Sequence, residues 1–139
     1  MALRNARMPG MGSAAFAVLV SLSSGSSAAE KTEIIRFDPG ASSKSIKGSV
    51  KGDDGHRYVV GANGGQAISI LFVPDNDSCY FNLLPPVGDA AIFIGSAEGN
   101  EYANVLPATG NYTVDVYLMR NAARRAESCD YTLTVEISD

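Results

Sequence analysis

The sequence predicts an all-β fold, an antiparallel β-sandwich of about eight short strands with a short helical turn before the last strand. Three observations predict it. Apolar residues alternate with polar ones at a period of two, the pattern of a half-buried strand. Turn-forming clusters of Gly, Pro, Asn and Asp interrupt the chain every several residues, the spacing of a sandwich or barrel. No segment has the length and period of a helix.

The elements follow in order. Residues 33–37 read as a short strand ended by Asp38-Pro39-Gly40. A second, 45–50, is ended by Lys51-Gly52-Asp53-Asp54-Gly55, and a third covers 57–61. Asn63-Gly64-Gly65 is a hairpin turn leading into 66–73. Pro74-Asp75-Asn76-Asp77 turns the chain into 79–84, and Pro85-Pro86-Val87-Gly88 turns it into 91–95. Residues 101–106 precede Pro107-Ala108-Thr109-Gly110. Two long strands, 112–119 and 131–137, complete the set.

Side chains two apart share a face of a strand. Tyr112, Val114, Val116 and Leu118 therefore lie together, as do Tyr131, Leu133, Val135 and Ile137, and Ile68, Ile70 and Phe72. Cys79 has the parity of Phe81 and Leu83, and Cys129 that of Tyr131 and Leu133. Both cysteines point to apolar faces, as an intersheet bridge requires. They are the only two cysteines in the chain. Closing a loop of that length contributes about 4 kcal/mol in the chain-entropy model.

The N-terminal segment, 1–29, reads as a cleaved secretory signal. Arg4 and Arg7 give a positive start, 14–20 is apolar, and Ser27-Ala28-Ala29 is a small-x-small cleavage site before Glu30. Residues 30–139 then form a single exported domain, placed in the periplasm, where disulfides form. The whole chain carries 11 Lys and Arg against 15 Asp and Glu, a net charge of −4. Without Arg4 and Arg7, nine basic residues face the same fifteen acidic ones, and the charge is −6. No other segment is apolar enough for a membrane. An acidic chain without a basic run is no nucleic-acid binder.

Chemistry is scarce. His56, the single histidine, lies in the charged stretch 52–57 and reads as a solvated turn residue. No strained nucleophile elbow accompanies it. One His and two Cys do not make a zinc site. Asp75-Asn76-Asp77 lacks the Gly and distal Glu of a calcium loop, and 61–65 has the wrong spacing for a phosphate loop. No catalytic residue, metal or cofactor is expected.

Two segments carry more than a plain sandwich needs. Met119 to Glu127 is rich in Ala and Arg, without Gly or Pro, and should form a helical turn. Arg120 and Arg124 then sit about 40° apart on one face, with Arg125 directed elsewhere. Paired guanidinium groups suit carboxylates. The plainer alternative is internal pairing with Glu127, Asp115 or Asp130. The other segment, Pro107 to Tyr112, is a tight turn opening a core strand.

Thr109-Gly110-Asn111-Tyr112, then Met119-Arg120-Asn121-Ala122-Ala123-Arg124-Arg125, then a last alternating strand, together resemble the bacterial periplasmic inhibitors of lysozyme. The nearest branches act on goose-type and invertebrate-type lysozymes. The likeness extends to Gly40-Ala41-Ser42-Ser43 and Gly64-Gly65-Gln66, and its most specific part is the Arg-Asn-Ala-Ala-Arg run. The resemblance implies an antiparallel sandwich, no enzymatic activity and a protein partner. Thr109, Gly110 and Tyr112 fall on the family's Ser-Gly-x-Tyr turn, with Thr in place of Ser. Arg120 and Arg124 fall on arginines of the goose-type branch.

The mechanism so implied is a block of the lysozyme cleft by a loop and an Arg pair. Lysozymes cut glycosidic bonds with cleft carboxylates, and an acidic inhibitor is steered toward a cationic enzyme. Parity places Tyr112 on the core side, where it would brace the loop. A second reading is an exported module that binds carbohydrate or peptidoglycan through exposed aromatics, for which Tyr58, Tyr80, Tyr102 and Tyr117 are the candidates. Unpaired edge strands leave room for a homodimer.

Overall fold

The computed structural model describes residues 29–139; the expected leader lies, apart from its last residue, outside the described residues. Nine strands and two short helices follow one another. They are β1 (Glu30–Ile34), β2 (Ser43–Lys51), β3 (Gly55–Ala62), β4 (Ala67–Pro74), β5 (Cys79–Leu84), β6 (Phe93–Ile94), α1 (Gly95–Glu98), β7 (Glu101–Val105), β8 (Gly110–Leu118), α2 (Arg120–Arg124) and β9 (Ser128–Ser138). One sheet runs β1-β3-β8-β5-β6 and the other β2-β9-β4-β7. Their apolar faces meet in a core that includes Phe72, Phe81, Leu83, Val114, Val116, Leu133 and Val135. The alternation read from sequence sorts β4, β8 and β9 correctly, because every side chain assigned inward there is buried.

Three expectations need correction. The sandwich is antiparallel except at its first strand: β1 pairs with β3 in parallel, Glu30 opposite Gly55 and Ile34 opposite Val59. β2 lies in the other sheet, so the chain leaves one sheet after β1 and re-enters it in the same direction. The strand also ends sooner than 33–37: after Ile34 one further bond, from the Ile35 N–H to the Val59 carbonyl at 2.8 Å, reaches β3, and the chain turns at Asp38 to Ala41. Second, 91–95 is a strand only at Phe93 and Ile94. Gly95 opens α1 there, and its backbone passes so near that of Phe81 that no Cβ fits.

The third correction is His56. It is not a solvated turn residue but part of β3, with its side chain 13% exposed. Its ring stacks on Tyr58, centroids 4.2 Å apart. Nε2 lies 3.0 Å from the Glu33 carboxylate and Nδ1 lies 3.2 Å from the Tyr58 hydroxyl. The run of charge around it masks the strand, whose period is legible only from Tyr58 onward.

Tyr58 belongs to one sheet and Tyr131 to the other, and their hydroxyls meet at 2.7 Å inside the sandwich. A buried hydroxyl is costly unless partnered, and here each partners the other. Gly48 of β2 makes the space. A Cβ at that position would stand 2.5 Å from the Tyr131 hydroxyl and 2.6 Å from that of Tyr58. Gly48→Ala should therefore force the pair apart and destabilise the domain by about 2–4 kcal/mol, the sum of overpacking and a lost buried hydrogen bond, read as a lower urea midpoint.

Burial pushes the ionisation of both tyrosines above the ordinary phenol range. For a group raised in the folded state, stability is complete below the unfolded value, about pH 10, and declines above it. Melting temperature should hold up to that pH and then fall. Tyr131→Phe, which removes one of the two hydroxyls, should show a shallower alkaline decline in the same measurement.

Candidate functional site

The Arg-rich segment begins as an extension of the β5–β8 ladder: the Met119 N–H donates to the Ser78 carbonyl at 2.8 Å. The chain then coils into α2, with Ala122 and Ala123 buried against the core. Small side chains at those positions let a single turn of helix lie flat on the end of the sandwich. The exit is a closed cap. The Ala126 N–H donates to the Ala123 carbonyl at 2.9 Å and the Glu127 N–H to the Ala122 carbonyl at 3.1 Å, the two bonds of a Schellman motif. Its left-handed position, φ 53°, is held by Ala126, the only non-glycine with positive φ among the described residues.

Arg120, Arg124 and Arg125 are all exposed. Arg125 is paired, its Nε 2.6 Å from the Glu127 carboxylate. Among the described residues no ion pair engages Arg120 or Arg124. The internal partner weighed from sequence is thus found for one arginine of the three. Glu127 is held below the usual carboxylate range, first by the Asn76 side-chain amide and then by Arg125. From sequence, Asn76 reads as a turn residue within Asp75-Asn76-Asp77 and as the start of an Asn-x-Ser acceptor pattern, Asn76-Asp77-Ser78. Its partner lies 51 positions away, which no local pattern discloses.

The Cys79–Cys129 disulfide forms beneath this segment, joining β5 of one sheet to β9 of the other with Cα atoms 6.3 Å apart. Cys79 lies opposite Leu118, the last residue of β8, and Cys129 is the second residue of β9. The bridge therefore ties β9, which follows α2, to β5, the ladder partner of β8, which precedes it.

The Thr109 turn sits elsewhere. It opens β8, whereas α2 follows the end of that nine-residue strand, so the two lie about 27 Å apart at the strand rise of roughly 3.4 Å per residue. The fold does not bring them together. The turn is firmly built. The Thr109 hydroxyl accepts the Gly64 N–H at 2.9 Å. The fully buried Tyr112 donates its hydroxyl hydrogen to the Ala108 carbonyl at 2.6 Å and accepts the Ala108 N–H at 3.2 Å. Gly110 adopts φ 154°, and a Cβ there would meet Pro86 at 2.6 Å. Tyr112 thus braces the turn from within.

Of the four tyrosines considered for sugar binding, Tyr58 is buried and Tyr102 packs on Phe93 at 5.2 Å. Tyr80 and Tyr117 remain half-exposed on the outer face, centroids 6.5 Å apart.

Residues 29–139 form a small two-sheet sandwich tied by a disulfide at one end and braced by a stiff turn at the other. No family model matches the chain. It is 30% identical over 123 residues to an inhibitor of g-type lysozyme from Escherichia coli strain K12, covering 86% of this chain and 91% of that protein. Its structure is similar to the crystal structure of Aeromonas hydrophila PliG, a periplasmic lysozyme inhibitor of g-type lysozyme, with a TM-score of 0.74 and 31% identity over 81% of this chain and 100% of that one. The pre-peptidase C-terminal domain of a Bacillus anthracis collagenase shares the fold alone, with a TM-score of 0.50 and 18% identity over 81% of this chain and 97% of that one. The chain belongs to the family of g-type lysozyme inhibitors.

An alanine in the left-handed region is disfavoured by about 1 kcal/mol, whereas glycine adopts it freely. Ala126→Gly should therefore raise unfolding stability by about 0.5–1 kcal/mol, seen as a higher urea midpoint with an unchanged slope.

Proposed function

We propose that this protein is a periplasmic inhibitor of g-type lysozyme and not an enzyme, and that its contact with the lysozyme is carried by Arg120 and Arg124. The relatives of known structure and name support the goose-type rather than the invertebrate-type target. The observation that carries the site is the exposed arginine pair on α2, unpaired among the described residues beside an arginine that is paired. Two guanidinium groups on one turn of helix match carboxylates in the cleft of a glycosidase, where bidentate hydrogen bonds hold best once water is excluded. Occupying those carboxylates removes the groups that protonate the leaving oxygen and stabilise the sugar cation. The acidic remainder of the surface steers the protein toward a cationic enzyme.

Thr109, Gly110 and Tyr112 form the second element of the reading. Their polar groups are engaged inside the turn, so they keep the far end of β8 rigid rather than entering the same cleft as the arginines. A homodimer would use an unpaired edge, of which the nine-residue β2 is the longest.

Arg120→Ala/Arg124→Ala should weaken inhibition of g-type lysozyme by at least about 100-fold at unchanged melting temperature, since losing one partner of an interfacial charge pair typically costs about 2–5 kcal/mol. Thr109→Ala frees one N–H and should weaken inhibition by less than about threefold. The reverse order, with a folded Thr109→Ala losing inhibition and the double arginine variant keeping it, places the contact at the other end of β8.

A further inference from the structure

We propose that Glu127 is a positioning residue for the Arg120 and Arg124 contact, acting with Asn76; the inference rests on the inhibitory site just described and deepens it. Helix α2 cannot hold itself. It has five residues, its N-terminus has no side-chain cap, and it leaves through a left-handed alanine. Isolated helices this short do not persist in water, and a residue in a disfavoured conformation persists only where its surroundings over-determine it.

Glu127 supplies those surroundings with every polar group it has. Its N–H closes the helix cap on the Ala122 carbonyl, and its own carbonyl accepts the Gly52 N–H at 2.9 Å. Oε1 accepts from the Asn76 amide at 3.0 Å and Oε2 from Arg125 Nε at 2.6 Å. One residue thus pins α2 to the turn after β2 and to the turn before β5. Asn76 is itself fixed. Its Oδ1 accepts the Ser78 N–H at 2.9 Å, its amide also reaches the Ser128 carbonyl at 3.1 Å, and its backbone carbonyl accepts the Cys79 N–H at 3.1 Å. The clasp therefore ends on the disulfide. The Oε2 bond also draws Arg125 back onto the domain, leaving Arg120 and Arg124 as the two that face outward without an ion pair among the described residues. Glu127 touches no partner in this account. It sets where the arginines stand.

The test is a cycle of variants titrated against g-type lysozyme, with melting temperature measured on each. Glu127→Ala should weaken inhibition about tenfold while the domain stays folded. Glu127→Gln, which still offers an oxygen to Asn76, should recover most of the loss. In the Arg120→Ala/Arg124→Ala background Glu127→Ala should have no further effect, because residues acting through one another are non-additive. Asn76→Ala cuts the same clasp from the other side, should weaken inhibition by a similar factor, and carries the test if Glu127→Ala does not fold. Inhibition by a folded Glu127→Ala within twofold of the parent, or a full tenfold loss added in the double arginine background, overturns the proposal. If the arginine variants themselves inhibit normally, the proposed site fails and the positioning role fails with it; if they alone lose inhibition, only the positioning role fails.

Discussion

The two sheets are joined through the core by the hydrogen bond between Tyr58 and Tyr131, and the geometry of the α2 end follows from that joint. Tyr131 stands two residues beyond Cys129 on β9 and opposite Gly48 on β2. The covalent link and the hydrogen bond therefore lie side by side, at the end of the sandwich from which α2 projects. A hydrophobic core alone fixes two sheets at the right distance but tolerates small sliding, since apolar contact has no direction. A hydroxyl pair at 2.7 Å has direction. It is satisfied in one relative placement of β3 and β9, and a disulfide one row away permits little else. His56, stacked on Tyr58 and reaching Glu33, carries the same arrangement outward to the edge strand β1. The parallel first strand is thereby tied in by its side chains as well as by its ladder.

A buried polar pair is a costly way to build a core, and its use here is consistent with specificity. Removing the Tyr58 hydroxyl would leave that of Tyr131 to bear its desolvation penalty, whereas Tyr58 would keep His56 Nδ1 at 3.2 Å. Gly48 shows how much of the packing is arranged around the pair, because no other residue leaves room for both oxygens. Opposite it, β9 passes from Cys129 to Tyr131 within one strand repeat, so one short stretch of chain contributes both intersheet links.

What the sequence discloses follows the range of the interaction. The alternation in 66–73, 79–84, 112–119 and 131–137 is a local signal, and it gives strands, faces and the parity of both cysteines. The Arg120–Arg124 spacing is local too, and it places both on one turn of helix. The sequence does not disclose pairings made at long separation. Asn76 with Glu127, Tyr58 with Tyr131 and Thr109 with Gly64 join residues 51, 73 and 45 positions apart. His56 is misplaced for the same reason: its partners are Glu33 on another strand and a tyrosine ring, while its sequence neighbours are charged turn residues. The separation of the Thr109 turn from α2 is invisible for a different cause. Both motifs flank one strand, and only the extended length of β8 shows that they stand at its two ends.

That separation decides how such a protein can work. Two motifs at opposite ends of one extended strand do not meet on one small target, so in the proposed function the α2 end carries the contact and the Thr109 end stays a braced turn. In the proposed contact the α2 end would present two charged side chains without ordering backbone on binding. Fixing one residue's backbone costs about 1–2 kcal/mol; in α2 that cost is already met in folding, through buried alanines, a closed cap and the Glu127 clasp. Only the arginine rotamers remain to be ordered, and Arg loses less per hydrogen bond than a flexible ammonium because its fork is planar. Charge divides in the same way. In the proposed function the acidic body would act at a distance, within a screening length of about 8–10 Å in physiological salt, on a cationic enzyme in any orientation. In the proposed function the two outward arginines would act only at contact, against carboxylates, where exclusion of water strengthens each bond. On that proposal an acidic surface with a small basic end separates encounter from recognition, and the pairing of Arg125 with Glu127 leaves Arg120 and Arg124 as the two arginines of the segment without an ion pair among the described residues.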